Sequence, residues 1–214
     1  MLLIDKYAYT NRLKDFNPMA KFIFAIGALI IAHLINNVYI NLGIFIVMIF
    51  LTTAVAEIPL NKYFKIIIIP FIFLVFSIIT ILISISSVDV FVLRIKVFNK
   101  YLGVTYESLR DSLKLIMRVL ASISSTLFLA LTTPLNSIIG VLKRLKISNT
   151  LIELLVLVYR AIFIFLEESQ DIIRAQEMKF GYSSINNSYK SIALLMKSLI
   201  IRVLIRYNDM VISL

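Results

Sequence analysis

The sequence predicts an all-α, polytopic membrane helix bundle of four to five spans, followed by long amphipathic helices on the cytoplasmic side. Three observations lead there. The 214 residues are 60% hydrophobic and 16% charged, with a mean hydropathy of +0.96, whereas soluble domains carry about 25% charged residues. The apolar residues gather in charge-free windows of roughly the 20 residues that a helix needs to cross a hydrocarbon core of about 30 Å. Past Pro134 the texture changes, with apolar residues recurring at helical spacing between cations. The chain therefore divides into a transmembrane domain, residues 1–132, and a cytoplasmic region, residues 133–214.

The first window, Phe22 to Ala56, is too long for one helix and is broken by Asn36-Asn37, a pair suited to a tight turn. It predicts spans over about 20–35 and 38–56. The window Ile66 to Val88 predicts a third span, with Pro70 tolerated as a kink because neighbouring helices re-satisfy the freed carbonyl. A fourth, about 113–132, should stop at Thr132-Thr133-Pro134, since the residue before proline disfavours helical dihedrals. With Lys6, Arg12, Lys14 and Lys21 placed in the cytoplasm, four spans return the chain there before Lys143, Arg144 and Lys146. The loop of about 89–112 is then external. The charged start does not read as a cleavable signal peptide.

Beyond Pro134, Ile138, Ile139, Leu142 and Leu145 form an apolar stripe beside Lys143, Arg144 and Lys146. Thr150-Leu151-Ile152-Glu153 reads as a capping box that opens a long helix running to about Lys179, with Gly181 as its stop. A last helix, about 189–213, predicts either a fifth span near 191–205 or another amphipathic helix.

The inventory limits the chemistry. With no Cys, no Trp and one His, the chain offers no thiol nucleophile and no Cys/His cluster, so neither a metal site nor a cofactor is expected. Neither a phosphate-binding loop nor a hydrolase signature occurs, which predicts a non-enzyme. The excess of 22 Lys+Arg over 12 Asp+Glu fits basic flanks on a lipid bilayer rather than nucleic acid. His33 reads as a histidine satisfied within an apolar run, and Arg118 as an anchor reaching for the interface. Arg160 interrupts an apolar helix with Glu153 and Glu167 seven residues to either side, which puts all three on one face. They form either an internal ion-pair ladder, or pairs with other groups of the same subunit, or a polar stripe for another protein.

Several blocks together resemble the transmembrane T component of energy-coupling factor (ECF) transporters, most closely the CbiQ group associated with cobalt uptake. They are Ile4 to Leu13 followed by Pro18-x-x-Lys21, Leu131-Thr132-Thr133-Pro134 with Leu142-Lys143-Arg144-Leu145, and above all Glu153 to Glu168 around Tyr159-Arg160. The resemblance implies a scaffold that joins a substrate-binding membrane subunit to ABC-type ATPase subunits through cytoplasmic coupling helices. It also implies an Ala-Arg-Gly-type docking motif at Ala175 to Gly181, which nominates Ala175, Gln176, Lys179 and Gly181 for ATPase coupling. Lys179 stands where arginine is usual and Phe180 where glycine is usual. Lysine keeps the charge but loses the planar fork, so a bidentate contact should weaken. A second such motif is expected after Arg206-Tyr207-Asn208-Asp209 and does not occur in these 214 residues. The alternatives are a T component of a vitamin-type system and a stand-alone permease or channel. The latter needs polar groups along a path, and spans two and three offer few.

Overall fold

The computed structural model describes residues 3–82, 84–86, 93–97 and 100–212. The end of the third predicted span and a stretch of the external loop, Asp89 included, lie outside them. The chain forms two compact units, Met1–Leu145 and Lys146–Leu214.

In the first unit, α1 (Leu3–Thr10) precedes α2 (Pro18–Leu34), and α3 (Val38–Phe50) runs on into a π-helical turn (Leu51–Val55). Asn17 caps α2 with its side chain on the Met19 amide, and Pro18 takes the first helical position, where the missing N–H is harmless. Asn37 caps α3 in the same way, its oxygen accepting from Tyr39 at 2.9 Å. The Asn36-Asn37 break is thus a helix start, as its composition predicts. In the π turn the Ala56 amide reaches five residues back to the Leu51 carbonyl. The Thr52 and Thr53 hydroxyls donate to the carbonyls of Met48 and Ile49, at 2.7 and 2.8 Å.

Helix α4 spans Leu60–Leu82 and so begins earlier than the charge-free window, because Lys62 and Lys65 sit in its first turns. Three short antiparallel strands follow, β1 (Ser84–Ser86), β2 (Leu93–Val97) and β3 (Lys100–Val104), with β3 central. The stretch expected to be a loop is therefore partly sheet. The next helix, α5 (Tyr106–Thr132), starts seven residues before its predicted limit. Thr105 and Ser108 cap it reciprocally. Its last turn ends at Thr133-Pro134, and α6 (Leu135–Arg144) follows.

Helix α5 is the centre of this unit, touching α1, α2, α3 and α4. Its buried face carries Ser112, Ala121, Ser124 and Ser125. Small residues let neighbouring backbones approach where lipid removes the hydrophobic drive to associate. Ala25 and Ala28 of α2 and Met48 of α3 close on Phe128, while Ile58, Tyr63 and Ile67 close on Leu131. The outward faces are apolar instead, with Phe64, Ile69, Phe73 and Phe76 of α4 all exposed, which is an orientation made for lipid.

The second unit is a hairpin of α7 (Asn149–Met178) and α8 (Ile185–Ile212). The expected capping box does not form. Ser148 precedes the helix without a side-chain cap bond, so Thr150 already lies inside the first turn and Glu153 in the second. By length and apolar composition, four helices suffice to cross a membrane: α3 with its π turn, α4, α5 and α7, with α2 a shorter apolar helix. The extra candidate is thus α7. Among the described residues α8 offers no such window, because Lys190, Lys197 and Arg202 interrupt its apolar run.

Candidate functional site

Two constructions stand out, one in each unit. In the hairpin, α7 ends in a Schellman motif: the Gly181 amide donates to the Gln176 carbonyl at 2.8 Å and the Phe180 amide to Glu177 at 3.0 Å. The left-handed position belongs to Phe180 (φ 57°), not to Gly181 as the sequence suggests. A bulky residue there is strained by roughly 1–2 kcal/mol. Gly181 is needed for another reason. A Cβ on it would stand 2.6 Å from Ser191 Oγ and 2.8 Å from the Gln176 carbonyl oxygen.

That close approach is locked by side chains. Gln176 Nε2 donates to the Ser191 carbonyl at 2.9 Å, the Tyr182 hydroxyl donates to Gln176 Oε1 at 2.7 Å, and Ser191 Oγ donates to the Gly181 carbonyl at 2.8 Å. Farther along, Arg202 of α8 pairs with Glu168 of α7. The elbow is therefore a stiff tip. On it Ala175 and Lys179 are exposed, and so are Met178 and Phe180, each 78% exposed. Of the four coupling residues predicted, Ala175 and Lys179 face solvent, whereas Gln176 and Gly181 hold the tip together. Sequence reasoning missed Tyr182 and Ser191, because they lie six and fifteen residues from their partner Gln176.

Glu153, Arg160 and Glu167 lie along α7 and are all exposed. Among the described residues no ion pair joins them, and about 10 Å separates residues seven apart on a helix. His33 is satisfied by its own helix, with Nδ1 3.0 Å from the Leu29 carbonyl. Arg118 reaches Asn36 Oδ1 at 2.8 Å, across the turn between α2 and α3.

The other construction sits at the lower end of α5. Lys21 is 3% exposed, and its Nζ donates to the Thr132 carbonyl at 2.7 Å and to Leu13 at 2.9 Å. Asn11 Nδ2 donates to the Leu131 carbonyl at 3.2 Å while also holding α1. Both residues satisfy carbonyls that the end of α5 leaves without an intrahelical amide, and Lys21 sets a positive charge on the negative helix end. Beside them Arg12 pairs with Glu57 at 2.8 Å. The two sequence blocks Ile4–Lys21 and Leu131–Pro134 thus meet in space.

Among the described residues, no cluster of His, Asp or Glu is placed to hold a metal ion. Apolar helices around a polar-pinned central helix define a multi-pass membrane protein. The comparisons name it more closely. The chain belongs to the CbiQ cobalt transport protein family, whose profile matches residues 10–214. It is 33% identical over 208 residues to the cobalt transport protein CbiQ of Salmonella typhimurium, covering 97% of this chain and 92% of that one. An uncharacterised protein of Methanocaldococcus jannaschii is 32% identical over 200 residues, covering 94% of this chain and 74% of its own length. A putative fused cobalt transport protein, CbiMQ, of Methanocorpusculum labreanum is 30% identical over 200 residues, or 94% of this chain and 33% of the fusion.

Proposed function

We propose that this chain is the membrane scaffold of an ATP-driven ECF-type importer of cobalt or nickel ions. In this reading it links ABC-type ATPases to a substrate-binding membrane subunit, through a coupling region, residues 133–214, attached to the membrane domain, residues 1–132. The observation that carries the reading is the elbow, a tip stiffened by the Gln176–Tyr182–Ser191 network and presenting Lys179 to solvent. A helix end already hydrogen-bonded throughout transmits displacement without first having to order. The cargo ion's ligands belong to the partner subunit, because imidazole and thiolate donors are what these ions favour and this chain has one His and no Cys. The hydroxyls of Thr52, Thr53, Ser77 and Thr80 each donate to a carbonyl four residues back in their own segment. They are engaged there instead of lining a path, which speaks against a stand-alone permease.

Co-expression with a tagged cognate ATPase pair tests the docking role. Lys179→Glu should cut retention of the complex through detergent extraction at least about tenfold, by reversing a charge at the contact; undiminished retention would remove Lys179 from the docking surface. Sidedness is a separate requirement, because α7 is apolar enough to cross the membrane and would then carry the elbow to the far side. The absence of cysteine makes the check clean. In Lys179→Cys a membrane-impermeant maleimide should label only after the cells are opened. Labelling of intact cells would place the elbow outside and end the coupling role.

A further inference from the structure

We infer that the exposed face of α6 is a binding surface for anionic phospholipid headgroups. Its inner side is fixed, with Ile139 and Val141 buried and the helix packed along α2. Its outer side carries Asn136, Gly140, Lys143 and Arg144, all exposed, at spacings of four, seven and eight residues that bring them onto one face. Nothing lies within 4 Å of where a Gly140 side chain would begin. The face is therefore low in profile and ends in two cations, an arrangement that lets a phosphate reach both charges.

The surroundings add to the charge. The starts of α2 and α4 and the end of α5 share this end of the unit, as the Lys21–Thr132 and Arg12–Glu57 contacts require. Lys6, Lys14, Lys62 and Lys65 are exposed in the segments that meet there, and among the described residues none of them, nor Lys143 or Arg144, is in an ion pair. The acids here are already partnered: Asp5 is not free, Glu57 pairs with Arg12, and Asp15 lies within Coulombic reach of Lys21. At the other end, Arg94, Lys96, Lys100, Arg110, Lys114 and Arg118 also outnumber Glu107 and Asp111, so what sets the α6 end apart is the exposed Lys143–Arg144 pair on a low face. The surplus around α6, next to an apolar perimeter, is complementary to an anionic leaflet, where each basic residue near the surface contributes about 1 kcal/mol.

The test uses the full chain in nanodiscs of phosphatidylcholine doped with phosphatidylglycerol, with retained lipid read by native mass spectrometry. The wild type should keep phosphatidylglycerol in preference to phosphatidylcholine. The double variant Lys143→Gln/Arg144→Gln should lose about fivefold of that preference per charge. The charge-preserving pair Lys143→Arg/Arg144→Lys should retain it, and so should Arg110→Gln at the opposite end. Equal retention of the two lipids by the wild type would overturn the proposal, as would an unchanged preference in the neutral variant, which would leave the cations serving only the end of α6. Displacement of the lipid by millimolar inorganic phosphate would also overturn it, in favour of a soluble anion. None of these outcomes depends on metal import or on an ATPase.

Discussion

Replacing Lys21 with methionine should lower the stability of the membrane unit by about 2–4 kcal/mol. Methionine matches the apolar stem in length and volume but cannot donate, so the carbonyls of Thr132 and Leu13 are left buried and unpaired. Each such loss costs about 1–3 kcal/mol. The relief of no longer burying an ammonium group offsets some of this, which sets the lower bound. The measurement is the unfolding midpoint in mild detergent with SDS as denaturant, against Lys14→Met, an exposed neighbour expected to change stability by less than about 0.5 kcal/mol. Equal behaviour of the two variants would show that the α5 terminus does not rely on Lys21. Asn11 stays in place on the adjacent Leu131 carbonyl, so the corner should loosen rather than disassemble.

The second large effect is expected from a single methyl group. Gly181→Ala puts a carbon 2.8 Å from a backbone oxygen of α7 and 2.6 Å from Ser191 Oγ. The hydroxyl could turn aside, but only by giving up its bond to the Gly181 carbonyl. The α7 carbonyl cannot move without undoing the helix end it belongs to. Overpacking and the lost bonds together amount to about 2–4 kcal/mol, felt locally because the hairpin has few other ties. Limited proteolysis between residues 179 and 184 should accelerate at least about tenfold, and retention of the ATPase pair should fall with it. A variant as resistant to protease as the wild type would mean that the elbow absorbs the methyl group elsewhere. Faster proteolysis with full retention would separate stiffness from docking and weaken the coupling role proposed for this tip.

Much of the membrane unit was legible because its signals are local. Asn17 and Asn37 announce helix starts within two residues of the amides they cap, and Pro134 announces a stop. The sheet had a signal too. Leu93-Arg94-Ile95-Lys96-Val97 alternates with period two, yet counting its cations for topology hid the alternation. The start of α5 was obscured by Glu107, Arg110, Asp111 and Lys114, which break the apolar window without breaking the helix. The elbow was located correctly and assigned wrongly in detail. Glycine is the usual left-handed residue, and only the proximity of Ser191, ten positions along, explains why the glycine stands one place later. At Thr150 the rule failed because the chain had already entered the helix at Asn149. The Lys21–Thr132 and Asn11–Leu131 bonds join residues 111 and 120 apart. No periodicity reaches that far, and only the family resemblance marked both blocks as belonging together.

The π-helical turn at Leu51–Val55 accommodates one residue more than an α ladder would hold. Winding the same residues as an unbroken α ladder would turn everything beyond them by one residue's worth, about 100°, carrying Ala56 and Ile58 off Leu131 and Glu57 away from Arg12. The turn is a phase adjuster. It lets the upper stretch of the span choose its azimuth against α5 while the lower end meets an anchor fixed by a different segment of the chain. One rod thereby serves two masters whose demands an unbroken helix could satisfy only by twisting the whole bundle.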